Sequence, residues 1–177
     1  MVRPMPRFTQ NDAECRVYTF KEGLLSPIAH DLEIAVDRFH VEWDDARTRV
    51  EARFEATSLR VIHAMKDGKP SPGALSDRDK KKIESNIQDD VLETKRHRDV
   101  VFTSSAIEPE GDGYVIRGAL ELHGRKRDVQ VRVAKEGAKW VATTTLHQPD
   151  FGVTPYSAMM GTLRIQPDVR VRVSAPA

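Results

Sequence analysis

A chain of 177 residues and 20.0 kDa is comfortable for one domain and cramped for two. Lys and Arg number 28 against 27 Asp and Glu, a formal net charge of +1, which leaves no global field for steering onto nucleic acid or an anionic membrane. The single cysteine, Cys15, excludes an internal disulfide framework and any Cys-based zinc finger within one chain.

The amino terminus, Met1 to Phe8, carries charge and proline, and Gln10, Asn11, Asp12, Glu14 and Arg16 then interrupt any apolar run. No signal peptide is expected from this pattern, and no window approaches the roughly 18 apolar residues of a bilayer span. The expected location is cytoplasmic, or periplasmic or secreted if a leader has been removed.

Period-2 alternation dominates the chain and predicts strands. A first strand is expected over 15–21 and a long one over 31–43, with a turn at Asp44-Asp45-Ala46-Arg47. The cleanest alternation follows, from Arg49 to Ala56, with apolar side chains at every even position and charges at every odd one. Such a strand has one dry and one wet face. Lys66 to Gly73 reads as a mobile polar loop. Ser76-Asp77-Arg78-Asp79 then reads as a capping box, opening a helix whose stripe is Ile83, Ile87, Val91 and Leu92.

Strands resume at 101–107 and at 114–122, where the even residues face inward. They continue at 129–133, 139–147 and 169–173. Glu110-Gly111-Asp112-Gly113, His123-Gly124-Arg125 and Lys135-Glu136-Gly137 supply the hairpin turns. Trp43 and Trp140 belong near a barrel end or in its interior. Eight or so amphipathic strands with open edges would aggregate unless the sheet closes. The fold class predicted is therefore all-β: an antiparallel, approximately eight-stranded barrel with one inserted α-helix, forming a single domain over residues 1–177 with a core at about 15–174. Small inward residues (Ala52, Ala56, Gly118, Ala142) favour a hollow lumen over a filled one.

Catalytic signals are weak. The six histidines, His30, His40, His63, His97, His123 and His147, include no pair at i, i+4 helical or i, i+2 strand spacing, so no metal and no cofactor are expected. Cys15 lacks surroundings that would activate a thiolate, apart from Arg16. Gly-x-Ser-x-Gly and Gly-rich phosphate loops are missing. The basic runs Lys80-Lys81-Lys82, Lys95-Arg96-His97-Arg98 and Arg125-Lys126-Arg127 lack interleaved aromatics, so nucleic acid is not an expected partner. The segment Pro149 to Gly161, with Phe151, Tyr156, Met159 and Met160, fits a loop that plugs one barrel end, gates an apolar ligand, or does both.

Four stretches stand out together: His30-Asp31-Leu32; Val91-Leu92 through Val101-Phe102-Thr103-Ser104; Gly118-Ala119-Leu120-Glu121-Leu122-His123-Gly124-Arg125; and Asp150-Phe151-Gly152-Val153 with Gly161-Thr162-Leu163-Arg164-Ile165. In this order they resemble the YceI-like family of lipocalin-like, polyisoprenoid-binding barrels. The resemblance implies a non-catalytic carrier of an apolar or amphiphilic chain, such as an isoprenoid quinone or lipid, held in the lumen. Face parity lines that lumen with Ala52, Phe54, Phe102, Ile116, Leu120 and Trp140, and the mouth with Phe151, Tyr156, Met159 and Met160. Two alternatives stay open: a cofactor or metal protein or enzyme using His30, His123 or His147, and a ligand-free, stress-related interaction module. A homodimer is also compatible with the sequence.

Overall fold

The computed structural model describes residues 6–23 and 29–177. Alternating sequence becomes fourteen strands: β1 (Arg7–Thr9), β2 (Glu14–Thr19), β3 (Asp31–Val36), β4 (Phe39–Trp43), β5 (Val50–Glu55), β6 (Leu59–Lys66), β7 (Lys69–Ser71), β8 (Asp99–Glu110), β9 (Gly113–Leu122), β10 (Arg125–Glu136), β11 (Lys139–His147), β12 (Ser157–Ala158), β13 (Leu163–Arg164) and β14 (Asp168–Pro176). Twelve of them form one curled antiparallel sheet in the order β1-β4-β5-β8-β9-β10-β11-β14-β2-β3-β6-β7, and β12 pairs with β13. The lipocalin-like all-β architecture with one α-helix is as expected, with more strands than the predicted eight.

The extra strands have a physical origin. The run 31–43, expected as one strand, bends at Asp37–Arg38 into β3 and β4, and its hairpin partner bends at Ala56–Ser58 between β5 and β6. Pairing continues through the bend: Val36 faces Leu59 in one ladder and Phe39 faces Phe54 in the other. Between them Asp37 N–H donates to Ser58 O at 3.1 Å and Glu55 N–H to Arg38 O at 3.0 Å. β3 leans on β2 while β5 leans on β8, so one bent hairpin belongs to both sides of the sheet and brings them together. Counting each bent arm once, the chain circuits the interior with eight strands. β1 and β7 are three-residue additions on the outer edges of that hairpin, short enough to offer little template for another chain.

Lys66 to Gly73, expected as a loop, contains the β6–β7 hairpin. Asp67 and Gly68 both take positive φ (53° and 75°), the conformation of a type I′ turn, for which Asp-Gly is a preferred pair. Helix α1 (Asp77–Asn86) starts as expected: Asp79 N–H donates to Ser76 Oγ at 3.1 Å and Ser76 N–H to Asp79 Oδ2 at 3.0 Å. The helix widens into a single π turn at Ile87–Val91. Leu75, Ile83 and Ile87 pack on Leu32, Ile34 and Val61, while Val91 and Leu92 join a second cluster around Phe102, Leu146 and Phe151. The helix thus spans two parts of the core.

Ser58 is the buried pivot of the bend. Its hydroxyl accepts from Arg38 N–H at 2.9 Å and donates to Glu55 O at 2.7 Å. Ser58→Ala strands both backbone groups, and chemical denaturation is expected to show a loss of about 1–3 kcal/mol; an unchanged midpoint would show that the bend holds without it.

Candidate ligand-binding cavity

The even-numbered residues of β5 and β9 and the odd-numbered residues of β10 and β14 share the inner face. Register enforces this: Ala52 faces Phe102, Ile116 faces Val131, Ala142 faces both Val133 and Val173, and Val17 faces Val171. A bulge between Ser104 and Ala106 resets β8 so that Ile107 faces Ile116, moving the inward set of that strand from even to odd residues. The enclosed space is a cavity of about 400 Å³, within the roughly 300–1,000 Å³ of small-molecule sites.

Its wall is made almost wholly of hydrocarbon. Ala52, Phe54, Phe102, Ile116, Leu120 and Trp140, the six expected lumen residues, all line it. Gly118 lies beneath Phe102: a Cβ there would sit 2.7 Å from Phe102 Cζ and 2.4 Å from Thr103 O. The glycine lets the aromatic ring lie against the sheet instead of standing in the lumen. Small residues therefore do part of the hollowing, as the sequence suggested.

The four residues expected at the mouth are placed differently. Phe151 is buried, 2% exposed, in the same cluster as Ala52, Phe102, Ile116 and Leu120, with Val153 beside it. It closes a short 3-10 turn, Gln148–Phe151, that ends on Gly152 at φ 69°. A side chain at Gly152 would collide with the Arg125 guanidinium, 2.7 Å from a built Cβ. The Phe-Gly pair is thus a buried aromatic followed by a residue whose left-handed backbone favours glycine. Tyr156 accepts a hydrogen bond from Asn86 Nδ2 at 3.1 Å, tying the loop to α1. Met159 and Met160 point outward, 62% and 104% exposed. None of these four forms part of the cavity wall.

Sequence reasoning missed the polar residues of the wall. Arg47, in the β4–β5 turn, reaches back over one end of the cavity. It donates to the Tyr114 hydroxyl, and its guanidinium lies 5.4 Å from the Tyr114 ring centre and 5.6 Å from that of Trp140. Trp43 lines the same end and packs on Phe8 with ring centres 4.4 Å apart. An arginine over two aromatic faces is held by cation–π attraction, and Arg47 keeps N–H donors beside an apolar lumen. Its position in the turn between β4 and β5 could not be paired with Tyr114 of β9 without the register.

Two further wall residues are chemically informative. Cys15 is 1% exposed, and burial pushes its thiol up to about 12 against a smaller opposing pull from Arg16. The thiol is neutral and inert under ordinary conditions. Thr19 Oγ1 is the one buried side-chain polar atom without a hydrogen-bond partner among the described residues.

His97 and His123, unrelated by sequence spacing, come together with Glu93 where the segment after the π turn meets the β9–β10 turn. His147 instead pairs with Asp168 at 2.7 Å in an exposed position, and His30 is not part of the cavity wall.

A family model described as the YceI-like domain matches residues 20–177. No curated protein matches the chain. Among solved structures, BcnA of Burkholderia cenocepacia aligns with a TM-score of 0.62 over 92% of this chain and 96% of that one, at 20% identity. The Campylobacter jejuni YCEI protein aligns with a TM-score of 0.59 over 89% of this chain and 90% of that one, at 15% identity. At these identities the structural likeness establishes the fold.

Two outcomes test the wall. Cys15 in the native protein is expected to resist iodoacetamide at pH 8.5 and to react fully in guanidinium, read by mass; rapid native labelling would show that the cavity opens at β2. Thr19→Val removes an unpaired buried hydroxyl and is expected to raise stability by about 1 kcal/mol in urea unfolding; a loss would mean that the hydroxyl has a partner in solution.

Proposed function

The chain belongs to the YceI-like family, and from that premise we propose that it is a non-catalytic binding protein for an apolar or amphiphilic chain, an isoprenoid or lipid, held in the barrel lumen. The observation that carries this reading is the 400 Å³ cavity with its hydrocarbon wall. Burying a methylene contributes about 0.8 kcal/mol, so a flexible chain gains affinity from length alone and requires few directional partners. A compact polar substrate would find almost nothing to bond.

Arg47 supports an amphiphile over a pure hydrocarbon. It stands at the end framed by Trp43, Tyr114 and Trp140, where a polar head would meet guanidinium donors while the tail stays in the lumen. Two features favour binding over catalysis. The wall thiol of Cys15 is held neutral, and acidic groups such as Glu55, Asp37, Glu110 and Glu136 are in exposed ion pairs with arginines, away from the cavity wall.

The test is uptake of a C15–C20 prenyl alcohol and of a long-chain fatty acid by delipidated protein, followed by native mass spectrometry. One chain per protein is expected. Ala52→Trp and Ala142→Trp fill the lumen from different walls, and each is expected to weaken uptake by at least about tenfold while preserving the β-sheet circular dichroism spectrum. Failure of the wild-type protein to take up either chain would reject the carrier reading in favour of a barrel that serves as an interaction module.

A further inference from the structure

We propose that Glu93, His97 and His123 form a binding site for a divalent transition-metal ion, of the zinc or cobalt class, at the junction between the post-helix segment and the β9–β10 turn. Candidate ligand atoms of all three residues lie within 4.8 Å of one another. The site is separate from the lumen, although its neighbours in sequence, Leu92 and Leu122, line the cavity.

The decisive detail is the hydrogen bonding of His123. Its Nδ1 lies 3.3 Å from Phe151 O. A carbonyl oxygen only accepts, so the contact is a hydrogen bond in the Nδ1–H tautomer. In the neutral ring Nε2 then presents a lone pair, and it faces Glu93 Oε2 at 3.1 Å. In that tautomer two acceptors face each other at this distance, and the space between them suits a proton or a cation. Ligand atoms sharing one zinc-like ion at 2.0–2.2 Å stand roughly 3.0–3.5 Å apart, so the pair is already spaced for a shared ion. A backbone carbonyl behind the far ring nitrogen is also the usual support of a metal-bound imidazole, fixing its tautomer and orientation.

The third donor and the surrounding backbone agree with this. The His97 ring centre is 4.5 Å from that of His123, and the ring rests on Gly124, where a Cβ would come within 3.0 Å of His97 Cε1. Glu93 and His123 both sit at positive φ, 47° and 53°, a conformation that non-glycine residues occupy at a cost. The Glu93 carboxylate is shared: Arg96 approaches Oε1 at 3.6 Å and leaves Oε2 to His123. The His123 side chain is 13% exposed and that of Glu93 41%, so the site is reachable and keeps a position for water or a fourth ligand. Two imidazoles and one carboxylate suit zinc, cobalt, nickel or copper better than calcium or magnesium, which prefer all-oxygen shells.

Binding would displace whatever proton bridges Nε2 and Oε2, so ion uptake should release protons. The experiment is calorimetric titration of tag-free, metal-stripped full-length protein with Zn²⁺, run in two buffers of different ionisation enthalpy, alongside visible absorption on adding Co²⁺. A single site per chain with proton release is expected. His97→Ala and Glu93→Gln should each weaken it by more than the roughly 10–100-fold that loss of an outer-shell partner costs, while His147→Ala should leave it unchanged. Both ligand variants are checked for native circular dichroism before titration. The absence of a one-to-one site, or an affinity equal to wild type in folded His97→Ala and Glu93→Gln, overturns the proposal. Loss of the site in His147→Ala would do so as well, by placing the ion at the exposed His147–Asp168 pair.

Discussion

The continuity of hydrogen bonding through the bend at 37–38 and 56–58 is the constraint on which the cavity depends. A twisted sheet of this width has two unsatisfied edges, and here a single hairpin reconciles them by giving its first half to β2 and its second half to β8. Each arm must turn without dropping its ladder. The cross-bend bonds Asp37–Ser58 and Arg38–Glu55, with the Ser58 hydroxyl filling the gap, accomplish that. Packing follows from the same bend. The cluster of Cys15, Val36, Phe39 and Ala175 brings β2, β3, β4 and β14 together with partly buried Phe54 and Leu59, residues that a flat sheet would hold far apart.

Once the sheet is bent round, hollow or filled is decided by side-chain volume and by what occupies the ends. Ala52, Gly118 and Ala142 withdraw volume from three walls, and Phe102 lies back against Gly118. Phe151 and Val153 then enter from the 148–153 segment, and Val91 and Leu92 from the π turn, to complete the cluster. Several large aromatics are placed at the margins: Phe151 in the plug, Tyr114 and Trp140 beneath Arg47, and Trp43 against Phe8. An interior arranged this way gives up dispersion contacts that a filled barrel would have, and the proposed bound chain would restore them.

The legible part of the sequence was whatever alternation alone determines. Face parity put six named residues on the lumen wall and they share it, because β5, β9 and β11 carry no register shift there and the bulge in β8 falls beyond Phe102. The capping box of α1 was likewise local, four residues long, and formed as read. The bend at Asp37–Arg38 was not legible, since it arises from the two ends of one strand following different neighbours. The β6–β7 hairpin had a signal in Asp67-Gly68, which the surrounding lysines and prolines masked. The Pro149–Gly161 segment divided against its composition: Phe151 went in, while Met159 and Met160, equally apolar, stayed out. Tertiary contacts fix where that loop lies, among them the tether from Asn86 to Tyr156, the His123 contact with Phe151 O and the bond from Gln148 N–H to Pro167 O. The Glu93–His97–His123 cluster shows the same limit, for its members meet through a tertiary junction that no spacing rule describes.

The wall chemistry also bears on how selective such a lumen can be. Each buried methylene adds about 0.8 kcal/mol, so two of them change affinity by roughly tenfold. For the proposed chain ligand, affinity would track length until 400 Å³ is occupied, and hydrocarbon contacts alone would distinguish chains of equal length poorly. Discrimination falls to the few polar groups on the wall. Thr19 has a hydroxyl already enclosed by protein. Arg47 is exposed, and its donors are only partly engaged by the Tyr114 hydroxyl. Charge at an exposed rim is screened and contributes modestly, yet the contribution is directional, favouring a head group that accepts hydrogen bonds at that end. On the proposed carrier function, such a barrel would select by length inside and by acceptor chemistry at the rim, and the second term would be the smaller one.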